Sequence, residues 1–537
     1  MQTRDHKTEL RRPMLTAWTL ALTMALCGVL FLWLQAAAAP DDEIRAQSTT
    51  DDAHVAAPAI DDSAHPPGKH DDGGGDDDDN GNRVDLEGFV VNTPTAFQGK
   101  WVISVSASVT KVVTVNDQTD VTDFNNVLPL PGAYIKVRGV SHPDGSLIAD
   151  RIRPDEFEDG QVVVRLKSST TLTGIIAHYD LVLVSRILES ANIYLFETDE
   201  DEESELSQLF QDSRVQWAEL NYVNGIPKNP EGDPYRTWKW GGPDAEYVNQ
   251  GAFAQVNLAP ALAKYQGDGI RIAVLDTGVA LTHTALISHL VPGRDMIQDD
   301  NTPQDECCGP GQGHGTHVAG IIAAIAPKSE IMPVRVLDTY GRGNTFVLAY
   351  AIEWAVKNGA DVINLSLGAD FDSAVLSDAV ASAVNGGVII IAAAGNDNSP
   401  LPRYPAAYPH VLGVTAVDAA RVKAPFANGE TWVDLATPGV GITSTVVGPQ
   451  GNGYGIWSGT SMATPFVAGA AVLARQRFPN ASVDEIGNRL FVKGDDINPE
   501  NPGYQDEVGR HLNIGAALID QPEPAAFSLF MPVVERP

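Results

Sequence analysis

The segment DECCGPGQGHGTHVAG, residues 305–320, concentrates side chains that can bind a metal, react as thiols or move a proton. Its six candidates are Asp305, Glu306, Cys307, Cys308, His314 and His317. A tetrahedral zinc site would need both adjacent thiolates and two histidines of one helical turn, whereas zinc ligands are normally separated. The pattern therefore disfavours a metal site, and the state of the two cysteines stays open.

Three further polar residues stand where strands end or helices begin. Asp276 follows the apolar run IAVL, Asn396 ends GVIIIAAAGN, and Ser461 lies in SGTSMATPFVAGAAVLA, with Pro465 in the early turns of that helix. Taken singly, each has a structural explanation: a turn, a helix cap or a buried hydrogen bond. Together with a histidine at the start of HGTHVAGIIAAI they could activate a serine hydroxyl and stabilise an oxyanion.

The four motifs occur in one order along the chain: DTG at Asp276, HGTHVAG at His314, AAGN at Asn396 and GTSMATP at Ser461. In residues and order they resemble the signatures of the subtilisin-like serine proteases, and they extend over 262–518. The resemblance implies that Ser461 attacks the scissile carbonyl, His314 takes and returns its proton, and Asp276 orients the imidazole. It implies that Asn396 and the Ser461 N–H form the oxyanion hole. His317 is expected to be a structural histidine.

The resemblance also implies two substrate-binding segments. Ser366, Leu367 and Gly368 would pair with an extended peptide. Ala393, Ala394 and Gly395 would form one wall of the S1 pocket. Arg403 departs from the small residue that relatives often carry before Tyr-Pro. It is expected either to shorten S1 or to favour an acidic P1 residue, P1 being the residue that supplies the scissile carbonyl.

Two other kinds of protein are weighed against an endopeptidase. An α/β-hydrolase is excluded, because Ala463 stands where the G-x-S-x-G motif needs its second glycine and the order of the triad differs. The alternative is a non-catalytic binding or adhesion protein on the same scaffold. It would require a broken triad or oxyanion hole, and every expected group is present.

The apolar strands that carry these residues alternate with helical patterns over residues 262–520. Near-continuous Val, Ile and Ala strands predict an α/β domain whose parallel sheet has helices on both faces. In such folds reactive groups gather at the carboxyl ends of the strands. The subtilisin-like catalytic domain is therefore assigned to 262–520.

The preceding residues predict two smaller domains. Residues 84–155 show short β-rich runs typical of an all-β barrel or sandwich. Residues 160–223 follow the order β-α-β-β-α-β of a ferredoxin-like α+β domain, and before a subtilisin-like domain this resembles the family's inhibitory propeptide. Residues 224–261 are the linker and start of the mature enzyme, with self-cleavage expected between 222 and 262. The tail 521–537 is either an edge strand or a sorting tag.

Composition limits location and partners. Over 537 residues, 69 acidic against 36 basic residues leave a net charge of −33, which argues against a nucleic-acid partner. Residues 1–39 contain an apolar run at 14–34 and are either a cleaved signal peptide or a membrane anchor, so export is expected. Residues 40–83 form an acidic disordered linker. The expected partners are polypeptide substrates and the propeptide. No cofactor is required; a structural calcium ion is left open, with no site predicted for it.

Overall fold

The computed structural model describes residues 82–92, 96–106, 109–119, 121, 134–141, 147–154, 157–187, 191–198, 202–227, 239–240, 244–448 and 451–519. The predicted leader, nearly all of the acidic linker and the C-terminal tail lie outside these residues. The described residues all belong to one compact unit. Within them, no helix is long and apolar enough to cross a membrane.

Five strands near the N-terminus close into a barrel in the order β1-β2-β3-β5-β4. Period-two patterning supplies the core of this barrel: in GKWVISVS, Trp101 and Ile103 point inward and are fully buried. All neighbouring pairs are antiparallel except β3 with β5. The strands are β1 Asn82–Asn92, β2 Gly99–Ser106, β3 Val109–Val115, β4 Tyr134–Ser141 and β5 Leu147–Pro154.

A second group of elements follows in the order β-α-β-β-α-β. These are β6 Phe157–Leu166, α1 Leu172–Tyr179, β7 Val182–Ile187, β8 Ile193–Glu197, α2 Glu202–Leu209 and β9 Val215–Gly225. We call residues 157–227 the ferredoxin-like unit. Its strands are antiparallel in the order β9-β6-β8-β7, and one face packs on the two helices through residues such as Ile175 and Leu209.

The remaining described residues build the large α/β domain. Its strands are β10 Lys239–Trp240, β11 Arg271–Asp276, β12 Arg294–Asp295, β13 Glu330–Arg335, β14 Arg342–Asn344, β15 Val362–Leu365, β16 Ile389–Ala393, β17 Val411–Val417, β18 Leu435–Pro438, β19 Ile442–Gly448, β20 Gly451–Trp457 and β21 Arg510–His511. Its helices are α3 Asp244–Asn249, α4 Gly251–Gln255, α5 Leu258–Leu262, α6 His314–Ile325, α7 Thr345–Lys357, α8 Ala374–Asn385, α9 Thr460–Arg477, α10 Val483–Val492 and α11 Ile514–Ile519.

An eight-stranded parallel sheet in the order β12-β13-β11-β15-β16-β17-β18-β21 is the centre of this domain. Along β11, Ile272 and Val274 join the core under α6 and α9, whereas Ala273 and Leu275 join the core under α7 and α8. Burial of both strand faces explains the unbroken apolar runs. The predicted α/β fold, with a parallel sheet and helices on both faces, is confirmed.

The ferredoxin-like unit and the α/β domain share one core and one sheet. Val163, Ile193 and Leu195, on the sheet face opposite α1 and α2, belong to the same buried cluster as the residues of α7 and α8. Strand β9 also pairs antiparallel with β14, which becomes the fifth strand of the smaller sheet. This pairing leads the residues that follow β9 towards the catalytic candidates.

Candidate active site

Asp276 and His314 form a buried pair at the carboxyl end of β11. His314 Nδ1 lies 2.7 Å from Asp276 Oδ1, and both side chains are almost fully inaccessible to solvent. A carboxylate can only accept, so Nδ1 carries the proton and donates it, and in the neutral ring Nε2 is then the basic nitrogen. The pair therefore has the tautomer that a general base needs.

The start of α6 is held against β11 by Asp305. Its buried carboxylate accepts hydrogen bonds from the backbone N–H groups of Gly313 (2.9 Å) and Thr316 (3.1 Å) and from the Thr316 hydroxyl (2.5 Å). Burial raises the pKa of Asp305 to about 7, although these donors oppose the shift. Gly315 lies beside these contacts, and a Cβ at this position would collide with the carbonyl of Gly278, two residues after β11.

Ser461 is the second residue of α9, and its side chain is 2% exposed. Its Oγ donates to the carbonyl oxygen of Ser366 at 3.0 Å, while Ser366 Oγ donates to the Ser461 carbonyl at 2.9 Å. The two serines thus fix the start of α9 against the end of β15. The position at a helix N-terminus supplies the favourable dipole field for a developing negative charge.

Asn396 lies three residues after β16, and its side-chain amide contacts both Thr460 and Pro227. Its Oδ1 accepts from the backbone N–H of Thr460 (2.9 Å) and from the Thr460 hydroxyl (2.8 Å), which sets the orientation of the amide. Its Nδ2 donates to the carbonyl oxygen of Pro227 at 2.9 Å. The amide donor is therefore preorganised, and in this structure it holds the last described residue of the ferredoxin-like unit.

Residues 223–227, which we call the tail segment, lie between two stretches of the α/β domain. On one side Val223, Asn224 and Gly225 pair with Asn344, Gly343 and Arg342 of β14. On the other side Gly225 exchanges both backbone hydrogen bonds with Gly368, at 3.0 and 2.9 Å. The Ile226 N–H donates to the Gly341 carbonyl at 3.0 Å. The tail segment is thus bound as an extended strand by backbone contacts on both edges.

The predicted substrate segments take different parts in this arrangement. Gly368 pairs with the tail segment, and Ser366 contacts Ser461, whereas the Leu367 side chain is fully buried in the core under α7 and α8. In the other segment Ala393 ends β16, Ala394 donates its N–H to the Val414 carbonyl (2.9 Å), and Gly395 donates to Thr460 Oγ1 (3.2 Å). Both segments lie beside residues that hold Pro227 or Ser461.

His317 lies in the core, one turn after His314. Its ring stacks on Trp457 with centroids 4.7 Å apart and planes 3° from parallel, and its Nε2 donates to the Ile442 carbonyl at 3.1 Å. Burial lowers the pKa of His317 to about 3, so the ring is neutral. This agrees with the structural role expected from the sequence.

The remaining side chains of the opening motif lie in the loop before α6. Cys307 and Cys308 are exposed and joined by a disulfide. In the part of the chain that the structure describes, no group of three or more His, Cys, Asp or Glu side chains is placed to hold a metal ion.

Three contributors to this region were not identified from the sequence. Asp305 was considered only as a metal ligand, because it precedes the first residue of α6 by nine positions and its contact with the helix start depends on the folded loop. Strand β14 has three residues, too few for a periodic pattern. Pro227 gave no signal, since its position depends on backbone pairing.

The comparisons with known proteins agree on the α/β domain. The Subtilase family (Peptidase_S8) matches residues 267–500. A thermophilic serine proteinase of Bacillus sp. (strain AK1) is 40% identical over 280 residues, covering 50% of this chain and 65% of that protein. Subtilisin BL of Lederbergia lenta is 41% identical over 233 residues, covering 42% of this chain and 82% of the relative.

Among solved structures, fervidolysin from Fervidobacterium pennivorans, described as a keratinolytic enzyme related to subtilisin, superimposes with a TM-score of 0.59. The two chains are 25% identical, and the match covers 70% of this chain and 62% of the fervidolysin chain. The family match and a subtilisin matched over most of its length coincide in the domain that carries Asp276, His314 and Ser461. The chain therefore belongs to the subtilase family of serine endopeptidases.

Proposed function

We propose that this protein is an exported serine endopeptidase, made as a self-processing zymogen, that cleaves peptide bonds through Asp276, His314 and Ser461. The observation that carries the proposal is the hydrogen bond from Asn396 Nδ2 to the Pro227 carbonyl oxygen, at 2.9 Å, beneath a tail segment that is paired on both edges. The enzyme's own chain therefore lies as a peptide substrate would lie.

The proposed chemistry gives each of these groups one role. Ser461 Oγ attacks the carbonyl carbon of Pro227 while His314 Nε2 accepts its proton, and Asp276 stabilises the imidazolium that forms. Asn396 Nδ2 and the Ser461 N–H stabilise the negative charge on the former carbonyl oxygen. The C–N bond breaks, His314 returns the proton to the departing amine, and an acyl-enzyme remains. Water, deprotonated by His314, then attacks the acyl carbon; the bond to Ser461 Oγ breaks, His314 returns the proton to Ser461, and the carboxylate of Pro227 is released.

We propose the bond between Pro227 and Lys228 as the site of self-cleavage, because the carbonyl that Asn396 contacts belongs to Pro227. The sequence predicted cleavage only within 222–262, with the propeptide ending at 223. Strand β9 continues two residues further, to Gly225, and the bound carbonyl belongs to Pro227. We therefore place the propeptide's C-terminus at Pro227.

Two polar side chains and an apolar face keep the ferredoxin-like unit docked, which supports its role as an inhibitor. The buried Glu219 carboxylate accepts hydrogen bonds from the N–H groups of Ala374 (2.6 Å) and Val375 (2.8 Å) at the start of α8. Asn221 Oδ1 accepts from the Phe346 N–H at the start of α7, at 3.1 Å. After cleavage these contacts remain, so the unit is expected to block the site until it is degraded or released.

The test is N-terminal sequencing of purified wild type beside Ser461→Ala. Wild type should begin at Lys228 with the propeptide separate, whereas Ser461→Ala should stay joined at that bond. Equal shortening of the variant would refute autocatalysis. A serine-directed phosphonate should label Ser461 of the processed enzyme, and absence of labelling would favour the non-catalytic binding or adhesion protein.

Export remains a proposal supported by the pattern of residues 1–39, which lie outside the described residues. The alternatives of a cleaved signal and an anchor at 14–34 predict different products. Intact-mass analysis of secreted and membrane fractions separates them: a soluble product lacking 1–39 supports cleavage, and a membrane-bound product retaining them supports the anchor.

A further inference from the structure

We propose that Arg403 closes the floor of the S1 pocket with an electrically balanced side chain, so that the enzyme prefers small P1 side chains such as those of Ala and Ser. The inference rests on the proposed function, because it concerns the pocket beside the carbonyl that Asn396 holds. It decides between the two effects expected of Arg403, a shortened S1 pocket and a preference for an acidic P1 residue.

The Arg403 side chain lies near the predicted S1 wall at Gly395 and near Gly368 of the segment predicted to pair with the substrate. A Cβ added at Gly395, the residue before Asn396, would lie 3.1 Å from Arg403 Cγ. A Cβ added at Gly368, which pairs with the tail segment, would lie 3.8 Å from Arg403 Nε. The arginine side chain therefore lies close to both segments, and on this proposal it takes the space that a large P1 side chain would need.

Backbone hydrogen bonds on both sides of Arg403 oppose a shift of the chain that would move its side chain aside. Tyr404 and Ala369 exchange backbone hydrogen bonds of 2.9 and 2.8 Å, which anchors the segment one residue from Gly368. The Arg403 carbonyl accepts from the Ala407 N–H at 2.8 Å. Its side chain is only 14% exposed.

Two carboxylates balance the charge of the guanidinium. Arg403 Nη1 contacts Asp370 Oδ1 and lies 3.1 Å from Asp397 Oδ2. A largely buried guanidinium that already has two acidic partners offers little net attraction to a further carboxylate, and the two aspartates repel it. An acidic P1 side chain is therefore disfavoured, and steric exclusion is what Arg403 contributes.

The enzyme's own P1 residue agrees with this preference. Pro227 is buried, and its compact ring fits a short pocket better than a long side chain would. A pocket for Phe, Leu or Lys would need open space between Gly368 and Gly395.

The experiment is a P1 profile of the processed enzyme, with peptides that differ only at P1 (Ala, Pro, Phe, Lys or Glu), for wild type and Arg403→Gly. Wild type should show a kcat/KM at least 10-fold higher for Ala than for Phe, Lys or Glu. Arg403→Gly should raise the ratio of Phe to Ala at least 10-fold. Titration of active sites with the phosphonate normalises each rate to competent enzyme.

The outcomes separate this inference from the proposed function. If the phosphonate labels nothing, the proposed function fails. If labelled wild type prefers Phe, Lys or Glu, the short pocket is refuted while the endopeptidase stands, and this result needs no variant to fold. An Arg403→Gly profile equal to that of wild type also overturns the inference. Asp370→Asn supplies a second variant: a gain for Glu at P1 in that variant would support the role given to charge balance, and an unchanged profile would contradict it.

Discussion

Replacement of Pro227 by Ala is expected to speed self-cleavage about tenfold. Gly225 exchanges both backbone hydrogen bonds with Gly368. In an antiparallel pair the next hydrogen-bonded position lies two residues along each strand, which places residue 227 opposite Ser366. An ordinary residue there would donate its N–H to the Ser366 carbonyl, but proline has no N–H.

The Ser366 carbonyl is instead bound by the group that must react. Ser461 Oγ donates to it at 3.0 Å, and that bond must break before the proton can pass to His314. Ser366 is buried, and a buried acceptor left without its donor costs about 1 to 3 kcal/mol, so the N–H of the substituted alanine would favour the reaction by about 2 kcal/mol once Ser461 is released. The greater freedom of alanine subtracts about 0.4 to 1 kcal/mol, and the remainder corresponds to about 5- to 15-fold in rate.

The assay follows the full chain during refolding, with samples quenched in acid and the new N-terminus at Lys228 measured by intact mass. Pro502→Ala, at an exposed proline, is the control for the general effect of replacing proline by alanine. Ser461→Ala supplies the baseline without cleavage. Self-cleavage of Pro227→Ala at the same bond, at or below the wild-type rate, would refute this account of Ser366.

Three other predictions test the assigned roles. Asn396→Ala should slow peptide hydrolysis about 100- to 1,000-fold, and a loss under 10-fold in titrated enzyme would contradict its place in the oxyanion hole. Asp276→Asn should lower kcat by about 10,000-fold because it favours the wrong tautomer of His314, and a kcat within 100-fold of wild type would count against that role. Burial raises the pKa of Glu219 from its usual 4.5 to about 7 in the docked unit. The contribution of Glu219 to docking is therefore complete below about pH 4.5 and is lost as the pH rises through about 7. The cleaved unit should therefore dissociate faster at pH 8 than at pH 6, as measured by size-exclusion chromatography. Glu219→Gln should remove most of that difference. An equal pH dependence in the variant would exclude Glu219 as its source.

The sequence was most informative where local chemistry and fold position coincide. Asp276, Asn396, His314 and Ser461 each end an apolar strand or begin a small-residue helix, so their types and order indicated both the parallel sheet and the candidate site. Positions that depend on pairing between distant segments could not be predicted in this way. The register of Gly225 with Gly368 is a backbone relation that side-chain types do not encode.

The same limit applies to charge partners. Arg403 was noticed because a large residue replaced a small one, but its two expected effects could not be separated. Asp370 and Asp397 lie 33 and 6 residues away in sequence, and only the structure brings them to one guanidinium. Likewise, Asp305 could be recognised as chemically capable, while its contacts at the start of α6 required the folded loop.

The pairing of β9 with β14 has a consequence for the enzyme after activation. When residues 157–227 leave, β14 and Gly368 become two unpaired strand edges that face a slot one strand wide. Unpaired edges accept any extended chain, including a loose segment of a second copy. Loss of the unit also uncovers the apolar surface of α7 and α8 that covered Val163, Ile193 and Leu195. If the unit is released as proposed, the newly activated enzyme should be most prone to aggregation and self-digestion when it is concentrated, and slow release of the docked unit would keep those edges covered while the enzyme is crowded with its own copies.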